Sequence, residues 1–186
     1  MGLMIHSLEM LSPTAKRGYY IYVLDYGWKE PLSKTLRENF HEMADWASKN
    51  DSAVIIGVGD IGHFDTEVLS WHNINGENAE DLLPAILITK TNPHAFRATI
   101  EIRNRKPDDF AFVLIPLKKV CKTETDVVSL IKSIFQDIEA KKDLTQFKVE
   151  KELNPGLGRA IVKSIILEPN FSGVGFSFNK LKDFLK

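Results

Sequence analysis

The run Tyr19-Tyr20-Ile21-Tyr22-Val23-Leu24 constrains this chain more than any other segment. Aromatic and β-branched side chains follow one another without a polar break, the pattern of a strand buried on both faces. Asp25-Tyr26-Gly27 ends it. From Pro31 to Ser48 the apolar positions Leu32, Leu36, Phe40, Met43, Ala44 and Ala47 recur at three- and four-residue spacing, and Pro31 stands where a first helical turn tolerates proline. The spacing predicts an amphipathic helix over 31–48. Asn50-Asp51 closes it, and Ser52 to Val58 supplies a second buried strand, giving the order β-α-β.

A polar, glycine-containing stretch follows, and Asp65 to Trp71 suits a short helix with Asp65 or Thr66 as its N-cap. Leu82 to Thr89 reads as a third strand, entered through Pro84. Residues 91–109 stay open: Arg97 to Arg103 alternates weakly, as an edge strand would, and Asn104 to Asp109 is a charged turn. Phe110 to Leu117 is a further apolar strand. Thr125 to Lys141 carries Val127, Val128, Leu130, Ile131, Ile134, Phe135 and Ile138 on one helical face, with Thr123 or Thr125 near its cap. Beyond Lys142, Asn154-Pro155-Gly156 is a turn, Phe171 to Phe178 a Gly-punctuated strand and Asn179 to Lys186 a short basic helix or tail. The chain holds no internal repeat.

Lys and Arg number 24 against 25 Asp and Glu, a formal charge of −1. Nucleic-acid and anionic-membrane binders work through a large positive field, so both classes are excluded as expectations. The small basic clusters at Arg97 to Lys106 and in the last eight residues read as solvated faces. With 44% hydrophobic residues the chain can bury a sizeable core. The single cysteine, Cys121, rules out an intramolecular disulfide, a CxxC pair and a four-cysteine zinc site. Met1 to Leu11 lacks the basic start and apolar run of a signal peptide, and no stretch approaches the roughly 20 apolar residues that cross a bilayer. A cytoplasmic protein is expected.

The order strand, helix, strand, helix, proline-led strand, strand, helix from Tyr19 to Lys141 resembles the thioredoxin fold. Two local features carry the resemblance. Trp28-Lys29-Glu30-Pro31-Leu32, after the first strand, is similar to the family's active-site loop, in which a Trp precedes a Cys-Gly-Pro-Cys turn at a helix start. Leu83-Pro84-Ala85 stands where the family keeps a cis-proline before its third central strand, facing that loop. Lys29 and Leu32 occupy the positions of the two cysteines, and Val23 that of the family's buried acid. Thiol-disulfide exchange needs a low-pKa sulfur at the helix N-terminus, which neither Lys29 nor Leu32 supplies. The resemblance therefore implies a redox-inactive member.

What survives loss of the cysteines is a surface. The family's segment before the proline pairs with extended peptides, so the resemblance implies capture of a protein or peptide at Trp28, Lys29, Glu30, Leu83 and Pro84. Trp28 would supply apolar area, and Lys29 a charge near a helix N-terminus. No cofactor is expected in this reading. The expected organisation is a thioredoxin-like domain over 1–141, its core starting near residue 19: a central mixed sheet flanked by helices, of α/β class. Residues 142–186 form a C-terminal extension. Phe171, Val174, Phe176, Phe178, Leu181, Phe184 and Leu185 make that extension too apolar for a free tail, so it packs on the domain or on a partner, a second copy included.

A second reading, an α/β enzyme or sensor, rests on the loop after the second strand. Gly57, Gly59 and Gly62 fit G-x-G-x-x-G, and Glu77 or Glu80 lies about 20 residues on, as the dinucleotide fingerprint asks. Asp60 would place a carboxylate in the pyrophosphate turn, and the helix begins only after Gly62. Asp60, His63 and Asp65, with His72 beyond them, are ligand types for a divalent metal, but they come from one short segment. A polar loop whose glycines permit tight turns explains the same residues.

Overall fold

The computed structural model describes residues 1–27, 29–59, 62–72, 74, 82–97 and 112–148. Gly2–Ile5 (β1), Tyr19–Leu24 (β2), Ser52–Gly57 (β3), Ala85–Thr89 (β4) and Phe112–Pro116 (β5) form one mixed sheet in the order β1-β3-β2-β4-β5. β3 runs parallel to both β1 and β2, whereas β4 is antiparallel to β2 and to β5. The fold is thus α/β, a five-stranded mixed sheet flanked by helices.

All six residues of β2 are buried, because the strand lies in the middle of the sheet between two covered faces. Its alternate residues enter different cores, as the period of a strand requires. Tyr19, Ile21 and Val23 join Val54, Ile56, Ile86, Ile88, Val113 and Ile115 on one face. Tyr20, Tyr22 and Leu24 join Ala53, Ile55, Ala85, Leu87, Phe112 and Leu114 on the other. Helices Pro31–Glu38 (α1), Phe40–Lys49 (α2) and Glu124–Glu139 (α6) cover the first face, and His63–Trp71 (α3) with the short Pro93–Arg97 (α4) covers the second. A one-turn helix, Leu117–Val120 (α5), leads from β5 toward α6.

The helix expected over 31–48 is two. Asn39 stands between them: its side-chain amide donates to the Thr35 carbonyl, the acceptor of its own helical N–H bond, the local competition that makes Asn a poor helix-interior residue. α3 begins two residues earlier than the sequence suggests. Gly62 is its N-cap, at φ +79°, without a side-chain capping bond, and Asp65 lies inside the first turn, facing inward. α6 starts on a capping box: Asp126 N–H donates to Thr123 Oγ1, and the Asp126 carboxylate takes the Thr123 N–H at 2.9 Å. β1 was not anticipated, since a four-residue edge strand with one buried residue leaves little pattern to read.

The segment after α6 folds back onto the domain. Phe147 is fully buried against Tyr19, ring centroids 5.9 Å apart, and Tyr19 Oη–H donates to the Lys142 carbonyl. Asp137 of α6 fixes this strap by accepting from Lys142 Nζ and from the Lys148 N–H, the latter at 2.6 Å. The expected elements within 98–111 and 149–186 lie outside the described residues.

Candidate functional site

Strand direction gathers one set of junctions at one end of the sheet. β2 and β3 end there and β4 starts there, because Leu24 pairs with Ala85, and Ala85 in turn with Pro116 at the end of β5. The turn 25–30, the glycine loop, Leu83-Pro84 and the β5–α5 junction therefore share this end. The Leu83–Pro84 peptide is cis.

The β2–α1 turn and Pro84 meet through α5. Leu117 N–H donates to the Pro84 carbonyl at 2.8 Å, and the next residue, Lys118, pairs with Glu30 at 3.0 Å. Both partners of that ion pair are well exposed, so it adds little stability and serves here to mark the approach of the two segments. Lys29, Glu30 and Pro31 are exposed. Leu83 and Pro84 are not: Leu83 is 2% exposed and packs in the second core with Leu82 and Leu87. Of the five residues expected to form a docking surface, the structure thus presents Lys29 and Glu30, buries Leu83 and Pro84, and leaves Trp28 outside the described residues. The open concavity lies beside them, a groove of about 610 Å³ between the starts of α1 and α6, lined by Glu30, Pro31, Leu32 and residues Lys122, Thr123, Glu124 and Thr125.

Beneath this surface is a hub that sequence reasoning missed. Asp25 and Asp65 are each 6% exposed. Asp65 Oδ1 accepts the Asp25 N–H at 2.9 Å, and Ser33 Oγ–H of the first turn of α1 donates to Asp25 Oδ1. One strand end is thereby tied to two helix starts. Burial pushes the Asp65 carboxyl up to about 7, the Asp25 N–H pulls it back in part, and the charge of Asp25 adds to the rise. The available signal was Asp25 standing directly after an all-apolar strand, where it must either reach solvent or find buried partners.

The glycine loop is filled by the chain's own side chains. A Cβ on Gly57 would fall 2.5 Å from Phe64, one on Gly59 2.7 Å from His6, and one on Gly62 2.6 Å from the Tyr26 ring. Gly59 and Gly62 also have φ of +109° and +79°, a region that side chains rarely adopt. These glycines admit His6, Phe64 and Tyr26. His63 and Asp65, two of the three candidate metal ligands, do not converge: two residues apart on α3, one is exposed and the other buried toward β2. Asp60 lies outside the described residues, among which no three His, Cys, Asp or Glu side chains form a ligand group.

Cys121 follows α5 and packs in the first core, 5% exposed. Burial, with the nearby Asp126 charge, pushes its thiol up to about 11, so the nucleophilic thiolate is nearly absent at neutral pH. Among the described residues no helix is long and apolar enough to cross a membrane. Comparison with protein-family models, with curated proteins and with solved structures finds no match to this chain.

Proposed function

We propose that this chain is a redox-inactive, thioredoxin-like module that binds an extended protein or peptide segment at the end of the sheet where β2 passes into α1. The observation that carries the reading is the approach of the Lys29–Pro31 turn to Pro84 through Leu117 and Lys118. Glu30 and Pro84, one from each segment on which the family resemblance rests, are linked by consecutive residues of α5. The sheet order, with β4 antiparallel beside β2, and helices on both faces support the same reading. Because Leu83 and Pro84 are covered, the segment is bound along the exposed Lys29–Pro31 turn and the adjoining groove toward Thr125. Lys29 and Lys122 beside Glu30 and Glu124 offer both signs of charge to a polar chain, and Trp28 supplies the apolar anchor.

The test is fluorescence anisotropy of a labelled random-sequence decapeptide pool, titrated with the full chain. Saturable binding that weakens at least tenfold in Trp28→Ala, with the melting temperature unchanged, is expected. Equal binding by the wild type and the variant overturns the proposal.

A further inference from the structure

Tyr22 and His72 carry the two buried polar atoms, Tyr22 Oη and His72 Nε2, that have no hydrogen-bond partner among the described residues. Both residues are 0% exposed. They are neighbours, with ring centroids 5.3 Å apart and planes at 67°. Tyr22 comes from the centre of β2, paired with Ile55 and Leu87, and His72 caps the C-terminus of α3. Among the described residues the other rings around His72 are Phe96 at 4.4 Å and Phe112 at 6.0 Å, neither of which has a polar atom to offer.

The hydrogen-bond chemistry of the pair can be assigned. His72 Nδ1 lies 2.8 Å from the Val68 carbonyl. A carbonyl oxygen only accepts, so Nδ1 carries the ring proton. Burial pushes the imidazole down to about 4, so at neutral pH it is uncharged and Nε2 is a bare acceptor. Tyr22 Oη–H is a donor, and burial, with a smaller effect from Tyr20, holds its proton on well above the ordinary range. A buried donor and a buried acceptor thus stand in one aromatic box, on two elements packed against each other. Such groups are nearly always satisfied in folded proteins, by protein atoms or by an ordered internal water.

We propose that Tyr22 Oη and His72 Nε2 form a binding site for one internal water molecule, which accepts from the tyrosine hydroxyl, donates to the imidazole and fastens the C-terminal end of α3 to β2. Tyr22 and His72 hold that water by complementary roles, so loss of either leaves the other's polar atom stranded. Loss of both leaves neither atom stranded.

The experiment uses the full chain. In the wild type, the His72 nitrogens should report the Nδ1–H tautomer. A long-lived water cross-peak should appear at the His72 Hε1 and Tyr22 ring protons in a rotating-frame Overhauser spectrum. Tyr22→Phe and His72→Phe should each lower the melting temperature by about 3–10 °C. The double variant should melt no lower than the worse single. An Nε2–H tautomer, absence of the water cross-peak in the wild type, a rise in melting temperature on Tyr22→Phe, or additive losses in the double variant would overturn the site. Should a variant fail to fold, the wild-type spectra decide alone.

Discussion

Asp65 accepts the backbone N–H of Asp25 at 2.9 Å, a bond between the first turn of α3 and the end of the central strand in which the accepting carboxyl is itself buried. Its burial has a consequence for pH. Ionising at about 7 in the folded chain against an ordinary 3.8, Asp65 holds its proton more tightly folded than unfolded. Its contribution to stability is therefore full below about 4 and is lost as pH rises toward 7.

His72 acts with the opposite sign. Its folded value of about 4 lies below the ordinary 6.5, so stability is gained as pH rises between them. Over that window each group is worth about 3 kcal/mol, and in the wild type the two nearly cancel. Asp65→Asn keeps an acceptor for the Asp25 N–H and removes one side of the balance. Its stability relative to wild type should rise by about 3 kcal/mol between pH 4.5 and 6.5 in urea melts. Parallel pH profiles for the two proteins contradict the assignment.

Asp137 is fully buried and holds the strap after α6 through Lys142 Nζ and the Lys148 N–H. Removing the carboxylate takes the acceptor from the part-buried Lys148 N–H and leaves beside it an ammonium that still reaches solvent, with about a third of the Lys142 side chain exposed. Asp137→Ala should cost about 2–3 kcal/mol. It should also raise protease susceptibility around 142–148. A loss within about 0.5 kcal/mol contradicts an anchoring role.

Gly62 combines a φ of +79° with close approach to Tyr26. Gly62→Ala should destabilise by about 1–3 kcal/mol. Adding Tyr26→Ala should recover only part of this, because removing the ring relieves the clash and not the backbone conformation. Full recovery in the double variant, read by thermal melts, would mean that the backbone costs nothing.

Cys121 should react with a disulfide reagent at pH 8 at least a hundredfold more slowly in the native chain than in denaturant, given its burial and a thiol pushed up to about 11. Comparable rates in the two conditions contradict the placement of this side chain in the core.

Much of the frame was legible in the sequence because it depends on periodicity. β2 needed only its unbroken apolar run, and α6 only its repeating face and Thr123 cap. Less legible were features decided by partners distant in the chain. Asn39 splits a helix whose apolar spacing runs straight through it. Asp65 looked like a cap or a metal ligand, and the strand end 40 residues earlier turns it inward. Leu83 and Pro84 looked like surface, and packing with Leu82, Leu87 and the α5 backbone buries them. The glycine pattern at 57–62 matched a phosphate-binding motif in spacing alone. Only the positions of His6, Phe64 and Tyr26 reveal what those glycines accommodate.

The most direct test of the docking reading is an amide chemical-shift map of the full chain titrated with the decapeptide pool. The account predicts perturbations concentrated at Lys29–Leu32 and Lys122–Thr125, the two sides of the groove. A map that leaves both segments unmoved, or that centres on the lysine-lined groove of Lys49, Lys90 and Lys141 at the opposite end of the sheet, contradicts it.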